Sequence, residues 1–141
     1  MVALTWGLVS RSPAAEGIWR EKADMPTARF FLGTCAVDGK IYAIGGNTEN
    51  GAVGTNEEYD PATDTWRFKK PMPTPRMVFA ITTYQNKIYC IGGYTSNGTV
   101  TGVNEAYNPE TDTWENKAPM PTARVSLQAN VANGKIYLIG G

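Results

Sequence analysis

Met25-Pro-Thr-Ala-Arg29, followed by Ile41-Tyr-Ala-Ile-Gly-Gly46, is a pattern that the chain writes three times. The second copy runs from Met72-Pro-Thr-Pro-Arg76 to Ile88-Tyr-Cys-Ile-Gly-Gly93, and the third from Met120-Pro-Thr-Ala-Arg124 to Ile136-Tyr-Leu-Ile-Gly-Gly141. Trp19, Trp66 and Trp114 are 47 and 48 residues apart, and Gly45, Gly92 and Gly140 repeat those separations. A register held this closely means one structural unit per period. Between the landmarks lies a second matched block, Glu57-Glu-Tyr-Asp-Pro-Ala-Thr-Asp-Thr-Trp66 against Glu105-Ala-Tyr-Asn-Pro-Glu-Thr-Asp-Thr-Trp114, with no clear counterpart ahead of Trp19.

Each period reads as four short strands. Asp38-Gly39, Gln85-Asn86 and Asn133-Gly134 are turn pairs between the first two, of residue types that tolerate the positive φ of a two-residue hairpin loop. Residues 41–44 and their equivalents are apolar at consecutive positions, which predicts strands buried on both faces, as in a sheet packed between two others. A third strand ends at Tyr59 or Tyr107, and a fourth is centred on Trp66 or Trp114. Asp60-Pro and Asn108-Pro join them, an Asx residue followed by a proline with φ already set. The Met-Pro-Thr links then carry the chain onward, since prolines so close together cannot continue a ladder. Four antiparallel strands per period, repeated, make propeller blades.

The paired glycines, the tyrosine, the tryptophan six or seven residues later and the arginine after a Pro-rich link resemble kelch repeats. The resemblance covers residues 19–141. It implies an all-β, kelch-like β-propeller segment of four-stranded antiparallel blades, about two and a half to three of them, with repeat units near 24–70, 71–118 and a partial 119–141. It also implies that the first strand of each blade lines the central channel and that Trp and Tyr pack against neighbouring blades. Residues 1–18 form an N-terminal segment that could supply one extra strand.

Most recurring residues take structural roles on this reading. Gly45, Gly46, Gly92, Gly93, Gly140 and Gly141 provide unusual backbone angles and close approach. Tyr59, Tyr107, Trp19, Trp66 and Trp114 pack between blades. Arg29, Arg76 and Arg124 are hydrogen-bonding clamps, because a guanidinium fork suits carbonyls and carboxylates alike. Glu57, Glu58, Glu105, Asp64 and Asp112 mostly repeat too, and read as turn caps and rim solvation.

Charge and chemistry narrow the function. With 13 basic and 13 acidic residues among 141, no net field draws the chain to nucleic acid or a lipid surface. No window approaches the roughly 18 apolar residues of a membrane span. Residues 2–9 are apolar but lack the positive flank of a signal peptide, so the expected location is the cytoplasm. The chain has no histidine, which removes the commonest general base and metal ligand and counts against the copper oxidases that share this propeller type. Cys35 and Cys90 fall on different strands of different blades and read as small buried hydrophobes. The reading assigns no cofactor, no metal and no catalytic residue.

Function is expected where the copies differ. Loops 47–55 and 94–102 are polar and rich in Gly and Asn, and such loops on a rigid scaffold carry recognition. Asn47, Thr48, Asn50, Tyr94, Thr95 and Asn97 are the candidates, with Phe31, Val78 and Ser126, each two residues past its Arg, bordering the same channel mouth. The expected ligand is a protein or peptide. The alternative is a carbohydrate-directed enzyme, an isomerase, epimerase or lyase, marked by a carboxylate or arginine pair that escapes the repeat. Propellers close with about 4–8 blades, so further blades are expected from a parent chain or from a second copy in a six-bladed dimer. The fragment reading is preferred, because Ser12-Pro-Ala-Ala15 lacks the Tyr-Asp-Pro-x-Thr-Asp signature of a third strand.

Overall fold

A computed structural model of the chain describes residues 19–141. Its first blade contains β1 (Gly33–Val37) and β2 (Lys40–Ile44), a ribbon of β3 (Asn47–Thr48) and β4 (Gly51–Ala52), then β5 (Asn56–Asp60) and β6 (Thr65–Lys69). The sheet runs β1-β2-β5-β6 and is antiparallel throughout. After β7 (Arg76–Met77) come β8 (Ala80–Tyr84), β9 (Lys87–Ile91), β10 (Tyr94–Thr95), β11 (Asn104–Asn108) and β12 (Thr113–Lys117). The second blade runs β8-β9-β11-β12, while β10 pairs back onto β7. A hairpin of β13 (Leu127–Ala132) and β14 (Lys135–Gly140) completes the described residues. Two four-stranded blades and half of another are the architecture the repeat implies.

Local chemistry sets each hairpin. Asp38 and Gly39 have φ of 49° and 74°, Gln85 and Asn86 of 49° and 57°, and Asn133 and Gly134 of 49° and 69°. Positive φ at both central residues is the type I′ geometry, whose twist matches that of the flanking strands. In β2 the consecutive residues Tyr42, Ala43 and Ile44 are all buried, so both faces of this strand are covered.

The core lies between the two sheets. Val37, Tyr42 and Ile44 of the first blade meet Ile88, Cys90 and Tyr107 of the second, with Met72 and Phe79 from the link and the strand approach between them. The Tyr42 and Tyr107 rings are 5.9 Å apart across this seam. Contact between blades runs along first strands, β1 against β8 and β8 against β13. Gly33 permits the approach, since a Cβ there would lie 2.8 Å from the Phe79 ring.

Two expectations need correction. Trp66 and Trp114 are the second residues of β6 and β12, not their centres. Trp19 is in no strand and is 97% exposed. The Tyr-x-Pro-x-Thr-Asp block that precedes the other two tryptophans has no counterpart in the sequence before Trp19. The expected extra strand within 1–18 lies outside the described residues.

Candidate functional site

Each Met-Pro-Thr-x-Arg link delivers one arginine to the end of its own blade. Arg76 is fully buried: its Nε donates to the Gly92 carbonyl (2.9 Å), Nη1 to the Thr74 carbonyl (2.9 Å), and Nη2 to the Cys90 carbonyl (2.7 Å). Nη1 also pairs with the Glu105 carboxylate. Arg29 repeats the arrangement, with Nη1 on the Gly45 and Thr55 carbonyls, both at 2.9 Å, and Nη2 on Ala43 (3.0 Å) and Glu57 (2.6 Å). Burial pulls the Arg29 guanidinium below its usual value, against the opposing pull of Glu57.

Those glutamates are where the sequence reading fails. Glu57 and Glu105 are buried ion-pair partners, not rim groups. Their second carboxylate oxygens accept from the Thr27 and Thr74 hydroxyls at 2.6 and 2.7 Å. A glutamate ordinarily reads as exposed, so only its recurrence in step with the arginine signals the pairing.

A second set of ties joins each blade to the link before it. Trp66 donates its indole N–H to the Ala23 carbonyl (2.9 Å) and Trp114 donates to Lys70 (2.8 Å). The Asp64 and Asp112 carboxylates accept from the N–H groups of the same two link residues, at 3.0 and 2.9 Å. They also accept from the Tyr59 and Tyr107 hydroxyls, each at 2.6 Å. These bonds hold both carboxyls below the usual carboxylate range and push the Tyr59 hydroxyl up to about 12. Trp66 and Trp114 are therefore half-buried hydrogen-bonding anchors, each ring tilted against its tyrosine at 5.0 Å.

The double glycines make the third tie. Gly46 N–H donates to the Arg76 carbonyl (3.0 Å) and Gly93 N–H to Arg124 (2.9 Å), so each glycine pair grips the link of the following blade.

The face beyond these clamps brings the loop candidates together. Phe31, Val78 and Ser126 have φ of 57°, 55° and 56°, a left-handed conformation that bulky or β-branched side chains rarely adopt. Val78 N–H donates to the Phe31 carbonyl and Ser126 N–H to the Val78 carbonyl, both at 3.1 Å. One strained residue per blade thus forms a ladder from blade to blade. The adjacent residues carry the loops: Phe30 and Asn47 exchange hydrogen bonds of 3.0 and 2.8 Å, and Met77 pairs with Tyr94. Ser96 donates to the Ala52 carbonyl (3.2 Å), joining one loop to the other.

Within the loops the candidates divide. The Thr95 hydroxyl and the Asn97 side chain bond each other at 2.6 Å, and Thr48 bonds the Gly51 carbonyl and the Asn50 N–H, so these groups brace their own turns. The side-chain amides of Asn47 and Asn50 make no hydrogen bond among the described residues. They line an open hollow of about 660 Å³ with Ala28, Arg29, Phe30, Thr48 and Glu49. Exposed Phe30 and Phe31 meet edge to face beside it, centroids 5.0 Å apart. Apolar rings, outward amides and one carboxylate suit a polypeptide segment, which offers both side-chain area and backbone hydrogen bonds.

Elsewhere the chemistry is muted. Both cysteines are free, and burial pushes the Cys35 thiol up to about 11 and that of Cys90 higher still. No cluster of three metal-ligating side chains occurs among the described residues, and no helix there is long and apolar enough to cross a membrane.

Comparison with known proteins agrees with the blade geometry. A family model described as the KLHDC2/KLHL20/DRC7 Kelch-repeats domain matches residues 11–141. A kelch-like protein, terF, of Aspergillus terreus is 40% identical over 65 residues. That alignment covers 43% of this chain and 14% of the length of the relative.

Proposed function

This chain belongs to the kelch-repeat family, whose domains are in general protein-interaction scaffolds, and from that membership we propose that it holds a peptide segment of a partner protein at the channel mouth. The observation that carries the reading is the ladder of Phe31, Val78 and Ser126. Three non-glycine residues held at left-handed φ store strain, and strain of this kind collects at ligand clamps and other working sites. The flanking bonds Phe30–Asn47 and Met77–Tyr94 fix both loops to that ladder. The binding face is consequently preorganised, which lowers the ordering cost of association.

The peptide would lay an apolar side chain against Phe30 and Phe31 and present backbone groups to Asn47 and Asn50. Among the described residues no observation favours the carbohydrate-directed alternative. The arginine–carboxylate pairs Arg29–Glu57 and Arg76–Glu105 keep to the repeat and direct donors to backbone carbonyls.

Panning a random peptide display library against the full chain tests the reading. Enriched peptides are expected to share a consensus with an apolar anchor, and to bind at least tenfold more weakly to a Phe31→Ala/Asn50→Ala chain whose thermal melt is unchanged. Equal binding to that variant would place the contact elsewhere and overturn the proposal.

A further inference from the structure

Glycine follows asparagine at three places in the chain, Asn50-Gly51, Asn97-Gly98 and Asn133-Gly134. In such a step the glycine nitrogen can attack the asparagine side-chain carbon, because no Cβ shields it and the glycine backbone adapts to the ring that forms. The ring is five-membered, so this nitrogen must come to the same side of the Cα–C bond as the asparagine Cβ. The fold restrains the three steps unequally.

Asn133-Gly134 is kept from ring closure by its turn. Asn133 has φ of 49° in the hairpin between β13 and β14, and a left-handed backbone sets the following nitrogen almost opposite Cβ. Gly134 is fastened as well, its carbonyl accepting from the Tyr84 hydroxyl (2.8 Å). Asn97-Gly98 is restrained at both reacting groups. The Asn97 side-chain oxygen accepts from the Thr95 hydroxyl (2.6 Å) and the Thr99 N–H (3.2 Å), while Gly98 N–H donates to the Thr95 carbonyl (3.0 Å). The Asn50 side chain has no such tether. Asn50 is exposed, lies outside the left-handed region, and its side-chain amide makes no hydrogen bond among the described residues. Its own N–H donates to the Thr48 hydroxyl (3.2 Å), which fixes the main chain and leaves the side chain free to turn. Exposure goes with this place in the blade: Asn97, in register with Asn50 and beside the Ser96 that bonds the first loop, is exposed too.

We propose that Asn50 is a deamidation site, the one Asn-Gly step of the three that the fold leaves free to react. The Gly51 nitrogen, its proton lost to solvent, forms a bond to the Asn50 side-chain carbon. The bond from that carbon to Nδ2 breaks, and the nitrogen takes up a proton and leaves as ammonia. Water then opens the succinimide at either carbonyl, giving aspartate or isoaspartate without any oxidation or reduction. Both products set a second carboxylate beside Glu49, and isoaspartate also inserts a methylene into the main chain between β3 and β4. Loss of the Asn50 amide would weaken capture of a peptide backbone, a consequence that rests on the proposed function, whereas the reaction itself does not.

The test incubates the full chain at mildly alkaline pH, folded and in concentrated urea, and follows the acid form at each asparagine by tandem mass spectrometry. In the folded chain Asn50 is expected to convert at least tenfold faster than Asn97 or Asn133, and faster still as pH rises, since the Gly51 nitrogen must lose its proton. In urea the three rates should converge. Equal rates in the folded chain, or faster conversion at Asn97 or Asn133, would overturn the proposal. So would a tenfold lead of Asn50 that persists in urea, which would assign the selectivity to neighbouring residues in the sequence instead of the fold.

Discussion

Arg76→Leu is expected to lower folding stability by about 3–5 kcal/mol, the usual consequence of removing one partner from a buried ion pair. Glu105 would stay buried with the Thr74 hydroxyl but no cation beside it, while the Gly92 and Cys90 carbonyls would lose the arginine as donor. Replacing both members, Arg76→Leu with Glu105→Leu, should recover part of the loss by removing the stranded charge. Recovery should be incomplete, because each buried carbonyl left unpaired costs about 1–3 kcal/mol. Arg124→Leu supplies the internal control. Its side chain makes one carbonyl bond and no ion pair among the described residues, so about 0.5–1.5 kcal/mol is expected, the worth of a single hydrogen bond. Urea unfolding of the three variants checks the ordering. Equal losses for Arg76→Leu and Arg124→Leu would show that the glutamate adds nothing to the clamp.

Gly45→Ala should be comparably damaging for a different reason. Gly45 has φ of 63°, and a Cβ built there would lie 2.7 Å from both the Arg76 carbonyl oxygen and the Phe79 ring. The left-handed angle alone costs an alanine about 1–2 kcal/mol. The clash adds to that, since one neighbour is backbone already engaged by Gly46 and the other is core, so a total of about 3–4 kcal/mol is expected for combined strain and overpacking. Gly39→Ala separates the two contributions, because φ there is 74° but nothing lies within 4 Å of the added carbon. Its expected loss is about 1–2 kcal/mol, the angle alone. Matching losses at Gly39 and Gly45 would mean that the seam between blades relaxes around the methyl group.

Both variants strike one junction. The Arg76 side chain fastens the second blade while its carbonyl receives Gly46 of the first. In a blade array, intrinsic blade stability and interface stability add approximately as nearest-neighbour terms. Residues serving both, such as Arg76, therefore carry more than their burial alone suggests.

The sequence made the blades legible because turn chemistry and register are local. Asp38-Gly39 declares a type I′ hairpin whatever surrounds it, and three copies fix the strand order. The same repetition drew attention to Phe31, Val78 and Ser126 as equivalent positions. Their left-handed backbone could not be read, because no turn motif marks it and the residue types argue against it. The burial of Glu57 and Glu105 escapes a local reading for a related reason: it depends on a partner 28 or 29 residues away in the chain, which only the matched recurrence of glutamate and arginine signals. Trp66 and Trp114 looked like core because tryptophan is large and apolar. Trp114 does pack against the buried cluster, and both indole N–H groups also reach link carbonyls at the edge of the seam, as the amphipathic character of this side chain allows.

On the proposed function, hydrogen bonds from blade to blade turn the loop-bearing mouth into one rigid surface. Native-state amide hydrogen exchange at Val78 and Ser126, the two donors of the mouth ladder, tests it most directly. Protection factors within tenfold of those for the β8 and β9 strand amides are expected, although neither residue lies in a regular strand. Exchange at the rate of an open loop, such as that around Asn97, would contradict it.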